Sequence, residues 1–200
     1  MSVIEQAYKQ SQDFNGFLAR YLDYYTEILG QLREQDFTPV LEALLEAHQQ
    51  DKKIIIMGNG GSAANANHLS TGLSYITRTW ERPLRSISLS NDALLITSLA
   101  NDFSFADIFY RQLQVHLQPG DVVIALSVSG QSANVLKGLE YARSKGNTCL
   151  GLTGRDGGQL KALVNHVVHI KTPQALFGVT EDIHMVLGHA LTYYLEYALK

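Results

Sequence analysis

The chain has 200 residues, a formal net charge of −3 at pH 7 and 18% charged residues. This length fits one α/β domain, alone or with a helical extension. The slightly acidic balance argues against nucleic acid or an anionic membrane as a partner, and the apolar runs are too short to span a bilayer. Residues 1–30 lack a signal-peptide pattern. The one cysteine, Cys149, excludes an internal disulfide; we expect a core residue and a reduced, cytoplasmic location.

The N-terminal quarter has apolar side chains at helical spacing. Residues 3–30 and 36–50 each fit a helix, and the apolar face of the first is rich in Phe and Tyr. Such a face should pack on the body of the protein or on a second subunit. We therefore predict an N-terminal helical segment over 1–51, for packing or oligomerisation, and a ligand-binding domain over 52–200.

After residue 52, short apolar runs alternate with helical segments. This alternation predicts an α/β fold with a mostly parallel sheet and helices on both faces. In such sheets, ligands bind at the carboxyl ends of the strands. The predicted strands are 53–57, 86–89, 122–126, 148–152 and 166–170, and the predicted helices lie near 62–77, 92–100, 132–145, 157–163 and 179–199.

A serine-rich loop over residues 127–132, the serine loop, joins the strand at 122–126 to a helix. It carries the hydroxyls of Ser127, Ser129 and Ser132. Hydroxyls and free backbone N–H groups at a helix start favour an anion. Because the loop has no Lys or Arg, it would hold a phosphate by hydrogen bonds. The pattern predicts a small phosphorylated ligand.

A second loop, the glycine loop over residues 58–62, follows the first strand and opens a helix. Its glycines allow a tight turn with close backbone approach, and Ser62 is the predicted helix cap. The spacing matches neither G-x-G-x-x-G nor a nucleotide P-loop, so no nucleotide cofactor is predicted. Taken alone, this loop fits an ordinary strand-to-helix turn equally well. Together, the two loops are far more specific.

Five motifs between residue 53 and about residue 195 carry a family resemblance: GNGGSAANANH at 58–68, ANDFSFADIF at 100–109, LSVSGQSANV at 126–135, LTGRDGG at 152–158 and EDIHMVLGH at 181–189. On these motifs the chain resembles the SIS (sugar isomerase) domain proteins of the phosphoheptose isomerase group. The resemblance implies a flavodoxin-like three-layer fold, with a five-stranded parallel sheet and an N-terminal helical extension. It also implies homotetramers with sites at subunit interfaces.

The resemblance further implies a phosphorylated sugar as the ligand, with specific residues in contact with it. Asn101 and Asp102 would lie near the sugar, and a turn or a helix cap is the alternative explanation of this pair. The implied binding residues are Asn59, Gly60, Gly61, Ser62, Ser127, Val128, Ser129 and Ser132.

Phosphoheptose isomerases move a carbonyl between adjacent carbons of sedoheptulose 7-phosphate and a manno-heptose 7-phosphate. The reaction needs a base for a carbon-bound proton and an acid for the oxygens, and a metal can polarise those oxygens. The family places a histidine and, four residues later, a glutamate on the helix after GNGGS, and a glutamine and a histidine near the C-terminus. Here His68 and His189 match the histidines, Gly72 stands at the glutamate position, and Glu181 at the glutamine position.

Two interpretations of these departures stay open. In one, zinc is held by His68, Glu181 and His189, with His189 and Glu181 as the catalytic residues. Eight helical residues rise about 12 Å, so Glu181 and His189 can share a metal only if Glu181 precedes the helix or the two come from different subunits. In the other, only sugar binding survives. Gly72 indicates close packing or room for a ligand. His184, five residues before His189, faces away from it and is interpreted as a structural residue.

Two further functions compete with an isomerase. The DiaA branch of the family has lost the metal-site acid and binds the replication initiator DnaA as a tetramer, and residues 62–68 resemble that branch. It also lacks the last histidine, whereas His189 is kept here. A phosphosugar sensor without catalysis is the third candidate. The retained His189 and Glu181 favour a phosphoheptose-isomerase-like enzyme with an altered site and without direct nucleic-acid binding.

Overall fold

The computed structural model describes residues 2–173 and 176–199. Helices come first along the chain, followed by alternating strands and helices. The helices are α1 (Val3–Lys9), α2 (Phe14–Gly30), α3 (Thr38–Gln49), α4 (Gly61–Ile76), α5 (Ala93–Asp102), α6 (Ile108–His116), α7 (Ala133–Ser144), α8 (Leu160–Leu163) and α9 (Phe177–Ala198). The strands are β1 (Lys53–Gly58), β2 (Arg85–Ser88), β3 (Val122–Ser127), β4 (Thr148–Thr153) and β5 (His166–His169).

The five strands form one parallel sheet in the order β2-β1-β3-β4-β5. This confirms the predicted flavodoxin-like α/β fold. The strand order reverses between β1 and β3, whose carboxyl ends lie side by side because Gly58 pairs with Leu126. In open α/β sheets, the crevice at such a switch point is where ligands bind. Both the glycine loop and the serine loop begin there.

Two apolar layers cover the sheet. Ile54 and Ile56 point into a core shared with α2, α3, α4 and α9, whereas Ile55 and Met57 point into one shared with α6, α7 and α8. All four side chains are fully buried, as expected for a strand covered on both faces. Within the two described ranges, no helix is long and apolar enough to cross a bilayer.

The prediction of one helix over residues 3–30 is wrong, because the helix is interrupted between α1 and α2. Ser11 Oγ donates to the Ala7 carbonyl at 2.6 Å, and the Asp13 carboxylate accepts from the Gly16 N–H at 2.8 Å. Such short polar side chains cap a new helix more readily than they continue an old one. The aromatic face of α2 packs on the first core, as expected for a helix lying on the body of the protein.

Helix α6 was not predicted from the sequence, although it fills much of the second core. Its residues Ile108, Phe109 and Leu113 are buried. Between them, the buried Gln112 amide donates to the Leu89 carbonyl, so a polar residue occupies a core position. Cys149 is fully buried, as predicted, and burial raises the pKa of its thiol to about 11.

Candidate functional site

The glycine loop and the serine loop meet in a cavity of about 250 Å³, the loop cavity. Helix α9 closes one side of it. Every residue of the two loops that was predicted to bind the sugar phosphate lines this one cavity. The lining residues are Asn59, Gly60, Gly61, Ser62, Leu126, Ser127, Val128, Ser129, Ser132, Phe177 and Glu181.

The start of α4 faces the loop cavity without a capping side chain. Gly60 is the N-cap residue, with φ +55°, and no side chain accepts a hydrogen bond from the first turn. The prediction that Ser62 caps the helix is therefore wrong, because Ser62 is buried inside that turn. An uncapped helix start offers N–H donors and the positive end of the dipole, both suited to an anion.

The hydroxyls of the serine loop are held by contacts within the loop. Ser127 Oγ donates to Ser132 Oγ at 3.2 Å, and Ser129 Oγ accepts from the Gln131 N–H at 3.2 Å. Ser132 is the N-cap residue of α7, yet its side chain makes no capping hydrogen bond. The Ser132 hydroxyl is therefore directed to the cavity side of the loop instead of to its own helix.

Two contacts fix the position of the loops. Asn59 and Asn134 exchange reciprocal amide hydrogen bonds of 2.8 and 2.9 Å, which tie the glycine loop to the first turn of α7. Gly130, with φ +62°, packs so closely on Gly157 that a Cβ there would collide with the Gly157 carbonyl. Asn134 was not singled out from the sequence, although it lies in the LSVSGQSANV motif.

Glu181 lies within the regular part of α9 and carries its carboxylate to the start of α4. The carboxylate sits so close to Gly61 that a Cβ at that position would overlap it. Asn65 Nδ2 donates to the Glu181 carbonyl at 2.8 Å and joins the two helices. Burial, followed by the neighbouring charge of Asp182, raises the pKa of the Glu181 carboxyl. The loop cavity thus contains an acid whose proton is held more firmly than usual.

His68 on α4 and His189 on α9, the histidine pair, contact each other directly. Their Nε2 atoms are 2.7 Å apart and their rings are nearly perpendicular, at 83°. At this distance the N–H of one ring donates a hydrogen bond to the ring nitrogen of the other. Both side chains are exposed, and neither lines the loop cavity.

The three predicted metal ligands do not come together within one chain. Glu181 stays at Gly61, within the same helix as His189, about 12 Å apart along its axis. Among the described residues, no group of three His, Cys, Asp or Glu side chains is placed to hold a metal. A zinc site built from one chain does not fit this geometry. The arrangement with ligands from different subunits stays a prediction.

The glycine at position 72 is explained by close packing of α4 on α9. A Cβ there would lie 3.1 Å from Thr192 Cγ2, tighter than an ordinary contact.

Asn101 and Asp102 end helix α5, where both are exposed and Asn101 Nδ2 donates to Asp102 Oδ1 at 3.0 Å. Neither lines the loop cavity, so their proximity to a ligand stays a prediction.

The fold and the loop cavity together define a class: parallel α/β proteins with a cavity between two strand-to-helix loops at the switch point of the sheet. The SIS domain family matches residues 20–154, more than half of the chain. The phosphoheptose isomerase of Trichlorobacter lovleyi is 40% identical over 177 residues, covering 85% of this chain and 90% of the relative. That of Paramagnetospirillum magneticum is 35% identical over 181 residues, covering 89% and 93%.

Solved structures show the same similarity. Phosphoheptose isomerase GmhA from Neisseria gonorrhoeae matches with a TM-score of 0.77 and 28% identity, covering 90% of this chain and 98% of that one. A phosphoheptose isomerase from Francisella tularensis has a TM-score of 0.80 at 22% identity, with 93% and 100% covered, and supports the fold alone. The chain belongs to the SIS domain family, in the group of the phosphoheptose isomerases.

Proposed function

We propose that this protein is a phosphosugar isomerase that interconverts sedoheptulose 7-phosphate and a manno-heptose 7-phosphate. The observation that carries the proposal is the loop cavity, where an uncapped helix start and three serines surround space for an anion. The curated relatives of the chain are phosphoheptose isomerases, and their names indicate the substrate class, a phosphorylated heptose. The same relatives favour an enzyme over a DnaA-binding scaffold or a sensor.

In this proposal, the two ends of the substrate occupy different parts of the protein. The phosphate lies in the loop cavity, held by the serine hydroxyls and the N–H groups at the start of α4. His68 is six residues beyond Ser62, a rise of about 9 Å along α4. An extended seven-carbon sugar with its phosphate on the last carbon and its carbonyl near the first spans a comparable length.

The histidine pair supplies the acid and base of the proposed reaction. Isomerisation requires removal of a proton from one carbon and return of a proton to its neighbour, while a proton moves between the oxygens. His189 is the proposed acid/base group. His68, in contact with it through Nε2, accepts a proton from His189 or returns one to it. Glu181, whose carboxyl has a raised pKa, lies in the loop cavity at the phosphate end of the proposed site.

We include a homotetramer and a cytoplasmic location in the proposal. Exposed apolar side chains on α2 and at the end of α9, such as Leu22, Tyr193 and Tyr194, support contact with further copies of the chain. A shared site could bring a third ligand to the histidine pair, which is the form in which zinc binding is proposed. The free, buried thiol of Cys149 is compatible with a reducing compartment.

An isomerase assay tests the proposal directly. Purified protein, treated with a chelator and then assayed with and without added zinc, is expected to convert sedoheptulose 7-phosphate into the aldose. Coupled detection of the aldose phosphate measures the rate. No turnover under either condition, together with retained binding of the sugar phosphate, would contradict the enzyme and support a sensor. Turnover only with added zinc would support the shared metal site.

Replacing Ser132 with alanine is expected to weaken binding of sedoheptulose 7-phosphate about tenfold, because one hydrogen bond to a charged phosphate is lost. Isothermal titration calorimetry measures the dissociation constant. Ser144→Ala is the matched control, since Ser144 ends the same helix and donates only to the Tyr141 carbonyl at 2.7 Å. Equal affinities for both variants would remove Ser132 from the phosphate site.

A further inference from the structure

A second cavity, the Arg155 cavity, lies beside the serine loop on the side away from the glycine loop. Its volume is about 630 Å³, and Ser129 lines both this cavity and the loop cavity. The proposed isomerase chemistry uses none of its other lining residues. These are Gln131, Arg155, Asp156 and Thr172.

The backbone of Arg155 is held in an unusual conformation. Its φ is +50°, in the left-handed region that side-chain-bearing residues seldom adopt. The Arg155 N–H donates to Thr172 Oγ1 at 3.2 Å, and the Arg155 carbonyl accepts from His169 Nε2 at 2.9 Å. Such conformations persist where the surrounding structure enforces them, and they cluster at ligand sites. The backbone of Arg155 is therefore held in a fixed place on the cavity wall.

The Arg155 guanidinium stands between the two cavities. It stacks on the ring of Phe177, with 4.4 Å from its central carbon to the ring centroid, and Phe177 lines the loop cavity. The Arg155 Nε is buried and has no hydrogen-bond partner among the residues that the structure describes. A stacked guanidinium is already oriented to bind a carboxylate or phosphate through two parallel hydrogen bonds.

The other charges around the Arg155 cavity leave it suited to an anion. Lys161 Nζ donates to the Asp156 carbonyl at 3.1 Å, so a second cation lies beside the lining. Asp156 is the acid of the lining, and its carboxylate accepts from the Gly158 N–H at 3.2 Å. The serine loop itself has no cation; Arg155 lines the Arg155 cavity and reaches the wall of the loop cavity through its contact with Phe177.

We propose that the Arg155 cavity binds a second anionic group of a ligand whose first phosphate lies in the loop cavity. The ligand class is a sugar bisphosphate or a phosphorylated sugar acid, and such a ligand competes with the monophosphate substrate for the serine loop. The inference rests on the proposed function only in taking a sugar phosphate as the occupant of the loop cavity.

Calorimetric titration with fructose 6-phosphate, fructose 1,6-bisphosphate and inorganic phosphate tests the proposal without using turnover. The unmodified protein should bind the bisphosphate at least tenfold more tightly than the monophosphate. Arg155→Gln should abolish this preference while changing the affinity for the monophosphate less than twofold. Arg78→Gln is the matched control, because Arg78 stacks on Tyr75 at 3.8 Å beside the amino ends of β1 and β2.

Three outcomes would overturn the proposal. The first is equal affinity of the unmodified protein for the two sugars, and the second is an equal loss for both sugars in Arg155→Gln. The third is Arg155-dependent binding of inorganic phosphate to protein saturated with fructose 6-phosphate, which would place a separate anion there. Binding of fructose 6-phosphate reports on the loop cavity alone. A protein that shows no isomerase activity but still binds the bisphosphate more tightly than the monophosphate would contradict the proposed function and leave this inference intact.

Discussion

His189→Ala is expected to lower the rate of isomerisation by a factor of about 10² to 10⁴, the range typical of losing a general acid or base. The side chain lies on the exposed face of α9, in contact with His68. Substitutions at exposed positions usually change the free energy of unfolding by no more than about 0.5 kcal/mol. Steady-state kinetics and urea unfolding, measured on the same preparation, separate the two effects.

The matched control for His189→Ala is His116→Ala. His116 is the exposed last residue of α6 and precedes β3 at the opposite end of the sheet from the loop cavity. This variant should keep the unmodified rate. If His189→Ala isomerises sedoheptulose 7-phosphate at the rate of the control, the histidine pair has no part in the chemistry.

His184→Leu is expected to reduce the pH dependence of folding stability. His184 lies five residues before His189 on the same helix, yet it is buried. Burial lowers its pKa to about 4 despite a partly compensating interaction with the Thr153 backbone. The unfolded chain, with a histidine pKa near 6.5, binds a proton below that pH that the folded protein does not bind. Stability is therefore lost as the pH falls from about 6.5 towards 4.

Between pH 7 and pH 5 this one histidine should lower the free energy of unfolding by about 2 kcal/mol, and His184→Leu should remove that part of the loss. Urea unfolding at the two pH values measures it. Some loss should remain in the variant, because burial also lowers the pKa of His169. His116→Ala should retain the full loss. An identical loss in His184→Leu and the unmodified protein would show that His184 is not kept neutral by burial.

The sheet and the two loops could be predicted from the sequence because local patterns determine them. Each of the five strands lies within a residue or two of its predicted bounds, since a short apolar run between turn residues is a local property. The loop cavity was predictable for the same reason, because loops after neighbouring parallel strands meet at one edge.

What the sequence could not supply is the geometry between distant elements. Glu181 and His189 share a helix, and only the packing of α9 on α4 shows that one reaches Gly61 and the other His68. The LTGRDGG motif likewise gives no sign that Arg155 has a special role, because its contact with Phe177 on α9 is visible only in the fold. Helix α6 was missed because its buried Gln112 conceals the apolar pattern, and its hydrogen bond to Leu89 is visible only in the fold.

The contact between Gly72 and Thr192 makes substitutions at these two positions depend on each other. A side chain at position 72 first meets the Thr192 methyl group, which would have to shift to accept it between α4 and α9. Thr192→Ser removes that methyl while keeping the hydroxyl that donates to the Gly188 and His189 carbonyls. A side chain at position 72 should therefore meet less crowding when it is combined with Thr192→Ser than when it is introduced alone.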